Sequence, residues 1–153
     1  MEFSWPSKGI LVNQRKYALE IVSELGLGDA KPSWTPIEMN VKLTIPKYVR
    51  LTGAMRVARY IKREPGLRVM FSSERSDIIS VFCDADWASC PNTRRPVFGF
   101  LIKYGESLVS CKCKKQSSVS KSSAEAEYRS MASVVSEVVW LIGLLKDLGE
   151  YVN

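Results

Sequence analysis

A chain of 153 residues and 17.2 kDa suits one domain of ordinary size and is too short for two that each bury a large core. Its 46% hydrophobic, 10% aromatic and 25% charged residues exclude wholesale disorder and a fibrous repeat. Twenty-two Lys and Arg against sixteen Asp and Glu leave a net charge of +6, which favours a polyanionic partner, and the absence of histidine removes Ser-His-Asp and Cys-His nucleophiles together with every histidine metal site. Hydrolysis, if the chain performs any, rests on carboxylates or thiols. The longest apolar stretch, Val138 to Leu145, is far short of the roughly 20 residues of a bilayer span, and Met1 to Lys8 lacks the pattern of a secretory signal. The expectation is therefore no membrane partner and an intracellular location, cytoplasmic or nuclear.

In chain order, Ile10 to Val12 reads as a short strand, and Asn13 can cap a helix with Tyr17, Ala18, Ile21, Val22 and Leu25 on its inner face. Gly26 supplies the stop. From Asp29 to Pro46, three prolines surround Trp34 and Met39 without any period, as in a linker or surface strap. A second helix is predicted over Gly53 to Arg63, with Ala54, Val57, Ala58 and Ile61 on one side and a basic opposite side, ended by Pro65 and Gly66. Four strands follow at Leu67 to Phe71, Ile78 to Asp84, Val97 to Tyr104 and Ser107 to Cys113, the last two joined by a turn at Tyr104-Gly105-Glu106. The lysine- and serine-rich run from Lys114 to Ser123 reads as an exposed loop. The strongest helix spans Ala124 to Leu148, and its buried stripe is predicted at Tyr128, Met131, Val135, Val138, Ile142 and Leu145. Cys83, Cys90, Cys111 and Cys113 fit neither paired zinc knuckles nor a disulfide framework, and read as small buried hydrophobes.

Asp84 closes a strand and is followed by Asp86 and Trp87; hard cations such as Mg2+ are commonly held by strand-end carboxylates, although acidic residues there are also ordinary turn formers. In the long helix, Glu125 is explained locally by a Ser122-x-x-Glu125 capping box and by pairing with Arg129. Glu127 has no such local explanation. It falls beside the predicted buried stripe, where an unpaired carboxylate is costly, and is the better candidate ligand.

The motifs Phe82-Cys83-Asp84-Ala85-Asp86-Trp87-Ala88, Arg94-Arg95, Gly99-Phe100, Lys114-Lys115-Gln116-Ser117 and Ser122-Ser123-Ala124-Glu125-Ala126-Glu127-Tyr128 together resemble the ribonuclease H domain of copia-type retrotransposon polyproteins. Upstream, Lys8-Gly9-Ile10, Gln14 to Leu19 and Thr35-Pro36 resemble the stretch after the polymerase active site of the same polyprotein, and Arg59 to Lys62 with Pro65-Gly66-Leu67 resembles its connection segment.

The resemblance implies an α/β (α+β) chain: a remnant of the reverse transcriptase C-terminal and connection region at 1–66, then a truncated ribonuclease H-like fold at 67–153, with antiparallel strands and a long helix across one face. It implies cleavage of the RNA strand of an RNA–DNA hybrid with Mg2+, and places Asp84 and Glu127 as catalytic metal ligands. Lys112, Lys114, Lys115 and Lys121 would lie near the hybrid backbone, the alternative being a plain solvated loop. The family's third catalytic Asp has no counterpart here, since Asp147 lies roughly 30 Å along the helix from Glu127, and the aspartate-rich polymerase motif is absent. The expected outcome is a chain inactive on its own and weak in Mg2+ binding. The other readings are a non-catalytic nucleic-acid-binding remnant, or an interaction module that associates through the exposed face of the long helix.

Overall fold

The computed structural model describes residues 1–36, 47–88, 90 and 92–150, with the side chains of 47–50 excepted. It divides into two compact units, Met1–Met70 and Phe71–Asn153. Among the described residues it holds two three-stranded sheets with helices, a mixed α/β architecture.

The first unit contains β1 (Glu2–Ser4), β2 (Gly9–Asn13), α1 (Arg15–Glu24), α2 (Lys47–Arg63) and the start of β3 (Arg68–Ser72), the strands ordered β1-β2-β3. β1 has no period in the sequence and was not foreseen; it pairs antiparallel with β2, Phe3 opposite Val12. The cap of α1 falls on Gln14, one residue later than expected, while the Asn13 side-chain oxygen accepts the Arg15 N–H at 3.1 Å and so satisfies one of the free donors. Gly26, at φ +65, donates to Ser23 O and Leu27 N donates to Val22 O, both 2.9 Å, a left-handed C-terminal turn that folds Leu27 back onto Val22.

Val22, Leu27 and Ala58 form the small core of this unit, with Ala30 and Met55 packed against it. Tyr17 and Leu25 are exposed, as are Ala54 and Val57, so the inner faces of both helices are narrower than their periodicity indicates. The basic side of α2 is occupied by the chain itself. Lys62 Nζ donates to the carbonyls of Leu27, Gly28 and Ala30, Arg59 Nε donates to Lys31 O at 2.7 Å, and the Arg63 guanidinium lies 3.8 Å from the centre of the Trp34 ring. The first part of the expected strap is therefore a clamped turn, and its remainder, 37–46, lies outside the described residues. α2 begins at Lys47, six residues before the predicted start at Gly53.

The second unit is the antiparallel sheet β4 (Ile79–Asp86), β5 (Val97–Tyr104) and β6 (Ser107–Lys115), in that order, crossed by α3 (Ser123–Asp147). β3 belongs to the other sheet, so the four strands predicted in series do not share one. β5 is central: Phe98, Phe100 and Ile102 alternate toward α3 and bury with Ala85, Ala126, Val134 and Leu141. Pro96 is fully buried just before β5, where a missing N–H costs no ladder bond, and its carbonyl accepts from Gln116 N at 2.8 Å.

The buried stripe of α3 is Ala126, Ser130, Val134 and Leu141, with Val138 and Leu145 beside it. This corrects the predicted stripe. Tyr128, Met131, Val135 and Ile142 are exposed, because the helix carries apolar residues at helical spacing on more than one face and the period alone does not choose between them. By length and composition α3 could cross a bilayer, but the face just described packs on the sheet. The Ser130 hydroxyl is buried without a hydrogen-bond partner. Ser130→Ala is therefore expected to stabilise this unit by about 1 kcal/mol, read as a higher denaturation midpoint at unchanged slope.

Gly105, at φ +57, opens the two-residue turn between Tyr104 and Ser107. A Cβ there would stand 2.7 Å from Ser76 Cβ. Gly105→Ala, which combines that clash with a left-handed backbone, should cost about 1–3 kcal/mol in urea denaturation.

Candidate nucleic-acid interface and strand-end carboxylates

The approach to α3 is built by a loop that the sequence presents as plain solvent-exposed chain. Gln116 and Ser120 are buried in it. Gln116 Nε2 donates to Ala126 O at 2.8 Å, Ser120 Oγ donates to Gln116 Oε1 at 3.1 Å, and Trp87 Nε1 donates to Ser120 O at 2.9 Å. These bonds tie the residues after β4, the end of β6 and the first turn of α3 into one frame. The cap at Ser122 is as predicted: its hydroxyl accepts from Glu125 N at 3.2 Å, and Glu125 reaches back to Lys121 N at 2.7 Å while pairing with Arg129 at 2.7 Å. The Lys121 N–H, then Arg129, hold the Glu125 carboxyl below the ordinary range. The charged form is thus favoured in the fold, and its contribution to helix stability is present above the ordinary carboxylate pKa and is lost as pH falls through the lowered one.

On the flank of this frame the β6 edge and α3 enclose an open cleft. Arg95, Lys112, Lys114, Lys115 and Arg129 line it, with Gln116, Ser117, Ser118 and Ser133 as neutral donors and Glu137 as the carboxylate among its lining residues. Lys112 and Lys114 stand opposite Phe100 and Phe98 in the ladder, so strand alternation turns both to the same face of the sheet as α3. The predicted Lys112, Lys114 and Lys115 are thus brought together. Lys121 is outside the lining, and only its backbone is engaged in the cap. Arg95 and Arg129 were not expected at this cleft: they come from a distant loop and from the helix, and only the sheet register and the helix phase bring them to the lysines.

The carboxylates are arranged differently. Ala85, opposite Phe98, buries in the core under α3, so strand alternation puts Asp84 and Asp86 on the opposite face of the sheet. There they line a shallow hollow over Gly99, Leu101, Cys111 and Cys113. Asp84 Oδ1 accepts from Ala85 N at 2.9 Å. Glu127 lies at the same end of the unit on α3, but it is exposed, so no burial cost singles it out. Asp84 and Glu127 therefore stand on different sides of the sheet, and among the described residues no three His, Cys, Asp or Glu side chains converge to share a metal ion. This donor set does not fit a two-metal Mg2+ centre.

The cysteines are free thiols, and Cys83, Cys111 and Cys113 are exposed rather than buried as expected. Cys111 and Cys113, opposite Leu101 and Gly99, lie on the outer face of the sheet, whereas Cys83, opposite Phe100, lies on the α3 side but on the edge strand β4. Cys90 is half-buried and accepts a hydrogen bond from Lys115 Nζ at 3.0 Å; that bond, and then those from Thr93, lower its thiol pKa to about 6. Alkylation of Cys90 by iodoacetamide, followed by peptide mass spectrometry, should rise with pH through a midpoint near 6, and Lys115→Met should move the midpoint upward.

Comparison with known proteins agrees with the motif series. The chain is 30% identical to an uncharacterized mitochondrial protein of Arabidopsis thaliana, AtMg00810, over 86% of this chain and 72% of the relative. It is 26% identical to the retrovirus-related Pol polyproteins from transposons RE2 and RE1 of the same plant, over 93% and 92% of this chain but only 13% and 12% of those polyproteins. The alignment with the mitochondrial protein runs over 175 positions, more than the whole chain, so that relative carries segments absent here. No protein-family profile matches the chain, and no solved structure matches it. The chain belongs to the family of copia-type retrotransposon Pol polyproteins.

Proposed function

We propose that the chain corresponds to the junction of reverse transcriptase and ribonuclease H in such a polyprotein, and that its own activity is to bind the backbone of nucleic acid, an RNA–DNA hybrid above all. The observation that carries this reading is the cleft lined by Arg95, Lys112, Lys114 and Lys115, with Arg129, itself paired to Glu125, at its helix side and a single carboxylate among the lining residues. Positive groups arranged along a groove neutralise phosphates and release counterions, which gives affinity without base sequence specificity. The serine hydroxyls and the Gln116 amide beside them add neutral donors of the kind that fix a phosphate in register.

Cleavage is a separate matter. Asp84 and Glu127 remain the residues to which the family resemblance assigns Mg2+, and their placement on opposite sides of the sheet supports binding rather than hydrolysis by this chain. Incubation of a labelled RNA–DNA hybrid with the folded chain, with and without Mg2+ and beside Asp84→Asn, tests this division. The expected result is a shifted but intact hybrid in every lane. Mg2+-dependent cleavage abolished by Asp84→Asn would replace this reading with that of an active nuclease, and absence of any shift at low salt would remove the binding function.

A further inference from the structure

Two thiols of β6 share one side of the sheet. Cys111 stands opposite Leu101 and Cys113 opposite Gly99, so strand alternation turns both away from the core under α3. Both are free and exposed, and they line the same shallow hollow roughly 6.7 Å apart along the strand. Lys112, between them in sequence, turns to the other face and lines the cationic cleft, so no side chain of β6 separates the two sulfurs. Gly99, the cross-strand neighbour of Cys113, leaves the space beside that thiol open. We propose that Cys111 and Cys113 form a two-coordinate site for a soft monovalent cation, copper(I) above all.

Donor type and donor number select this ion. Thiolates favour soft metals over Mg2+ or Ca2+. Zinc and iron–sulfur centres ask for four ligands, and among the described residues no third His, Cys, Asp or Glu side chain joins the pair. Copper(I) is satisfied by two collinear thiolates. Two metal–sulfur bonds of about 2.3 Å span roughly 4.6 Å, a separation the pair reaches when each Cβ–Sγ bond leans toward the other. Each thiol passes its proton to solvent as its sulfur binds, so uptake of one ion releases two protons. The other cysteines are placed apart from this pair: Cys83 lies on the α3 side of β4, and Cys90 lies in the loop between β4 and β5.

Anaerobic titration of the reduced full chain with copper(I), in competition with the chromophoric chelator bicinchoninate, tests the inference. The expected result is one copper(I) withdrawn from the chelator per chain. Cys111→Ser and Cys113→Ser should each weaken that uptake by roughly 100-fold or more, because one of only two ligands is lost. Cys83→Ser and Cys90→Ser should leave it unchanged. On the loaded protein, iodoacetamide followed by peptide mass spectrometry should find Cys111 and Cys113 protected while Cys90 still reacts. Cys111 and Cys113 are exposed, so their serine variants should keep the fold, and circular dichroism of each variant checks this. Failure of the chain to compete with the chelator, uptake that survives Cys113→Ser, or an equal loss from Cys90→Ser would overturn the proposal.

Discussion

Replacing Ile102 by alanine is expected to cost the second unit about 2–5 kcal/mol, enough to leave much of it unfolded in solution. Ile102 is fully buried on the central strand β5, in the cluster that joins Phe98, Phe100 and Ala85 to Ala126, Val134 and Leu141. The cluster is small, with one sheet face and one helix face contributing, so a cavity at its middle has few neighbours able to collapse into it. Urea denaturation followed by circular dichroism at 222 nm checks this, since α3 is the longest helix described. Val109→Ala, at a site 40% exposed on the same sheet, should change the midpoint little and serves as the control. Equal losses for the two variants would mean that the core has been placed on the wrong face.

Reversing two charges in the cleft, Lys112→Glu with Lys114→Glu, is expected to lower affinity for an RNA–DNA hybrid by roughly 100-fold at low salt. Each substitution removes one phosphate contact and adds a repulsion, and the two side chains stand on the same face of one edge strand, so their effects fall on one stretch of backbone. Stability should change little, because the β6 end is exposed at both positions. Fluorescence anisotropy with a labelled hybrid reads the affinity, and a denaturation curve on the same protein separates lost binding from lost fold.

Much of the architecture was legible where local chemistry decides it. The Ser122 cap with Glu125, the Glu125–Arg129 pair, the Gly26 and Gly105 turns and the bounds of β5 all depend on residues within a few positions of one another. What failed depended on distant partners. The strand Arg68–Ser72 looks no different in sequence from its successors, yet it pairs in the other sheet. The predicted stripe of α3 is right at Val138 and Leu145 and wrong at Tyr128, Met131, Val135 and Ile142, because Ala126 and Ser130, small residues with weak hydropathy, are among those that approach the sheet. The same misplacement made Glu127 look buried.

The candidate site divides along the same line. Lys112, Lys114 and Lys115 were visible as a run, and strand alternation alone places Lys112 and Lys114 together. Arg95 and Arg129 complete the cleft from elsewhere in the chain and needed the fold. Asp84 was visible as a strand-end carboxylate, but its side of the sheet is set by Ala85 burying with Phe98 in the core under α3, and an alanine is too small to register as a core signal.

The central claim is that the cleft holds a nucleic-acid backbone through its cations. Its most direct test is the salt dependence of hybrid binding by the folded chain, measured by anisotropy for the natural sequence and for Lys112→Ala, Lys114→Ala and Lys121→Ala. The account predicts a steep fall of affinity with salt, a slope shallower by about one for each of the two cleft lysines removed, and a smaller change for Lys121, whose side chain is outside the cleft lining. A slope near zero, or the same loss from Lys121 as from Lys112 and Lys114, would contradict it.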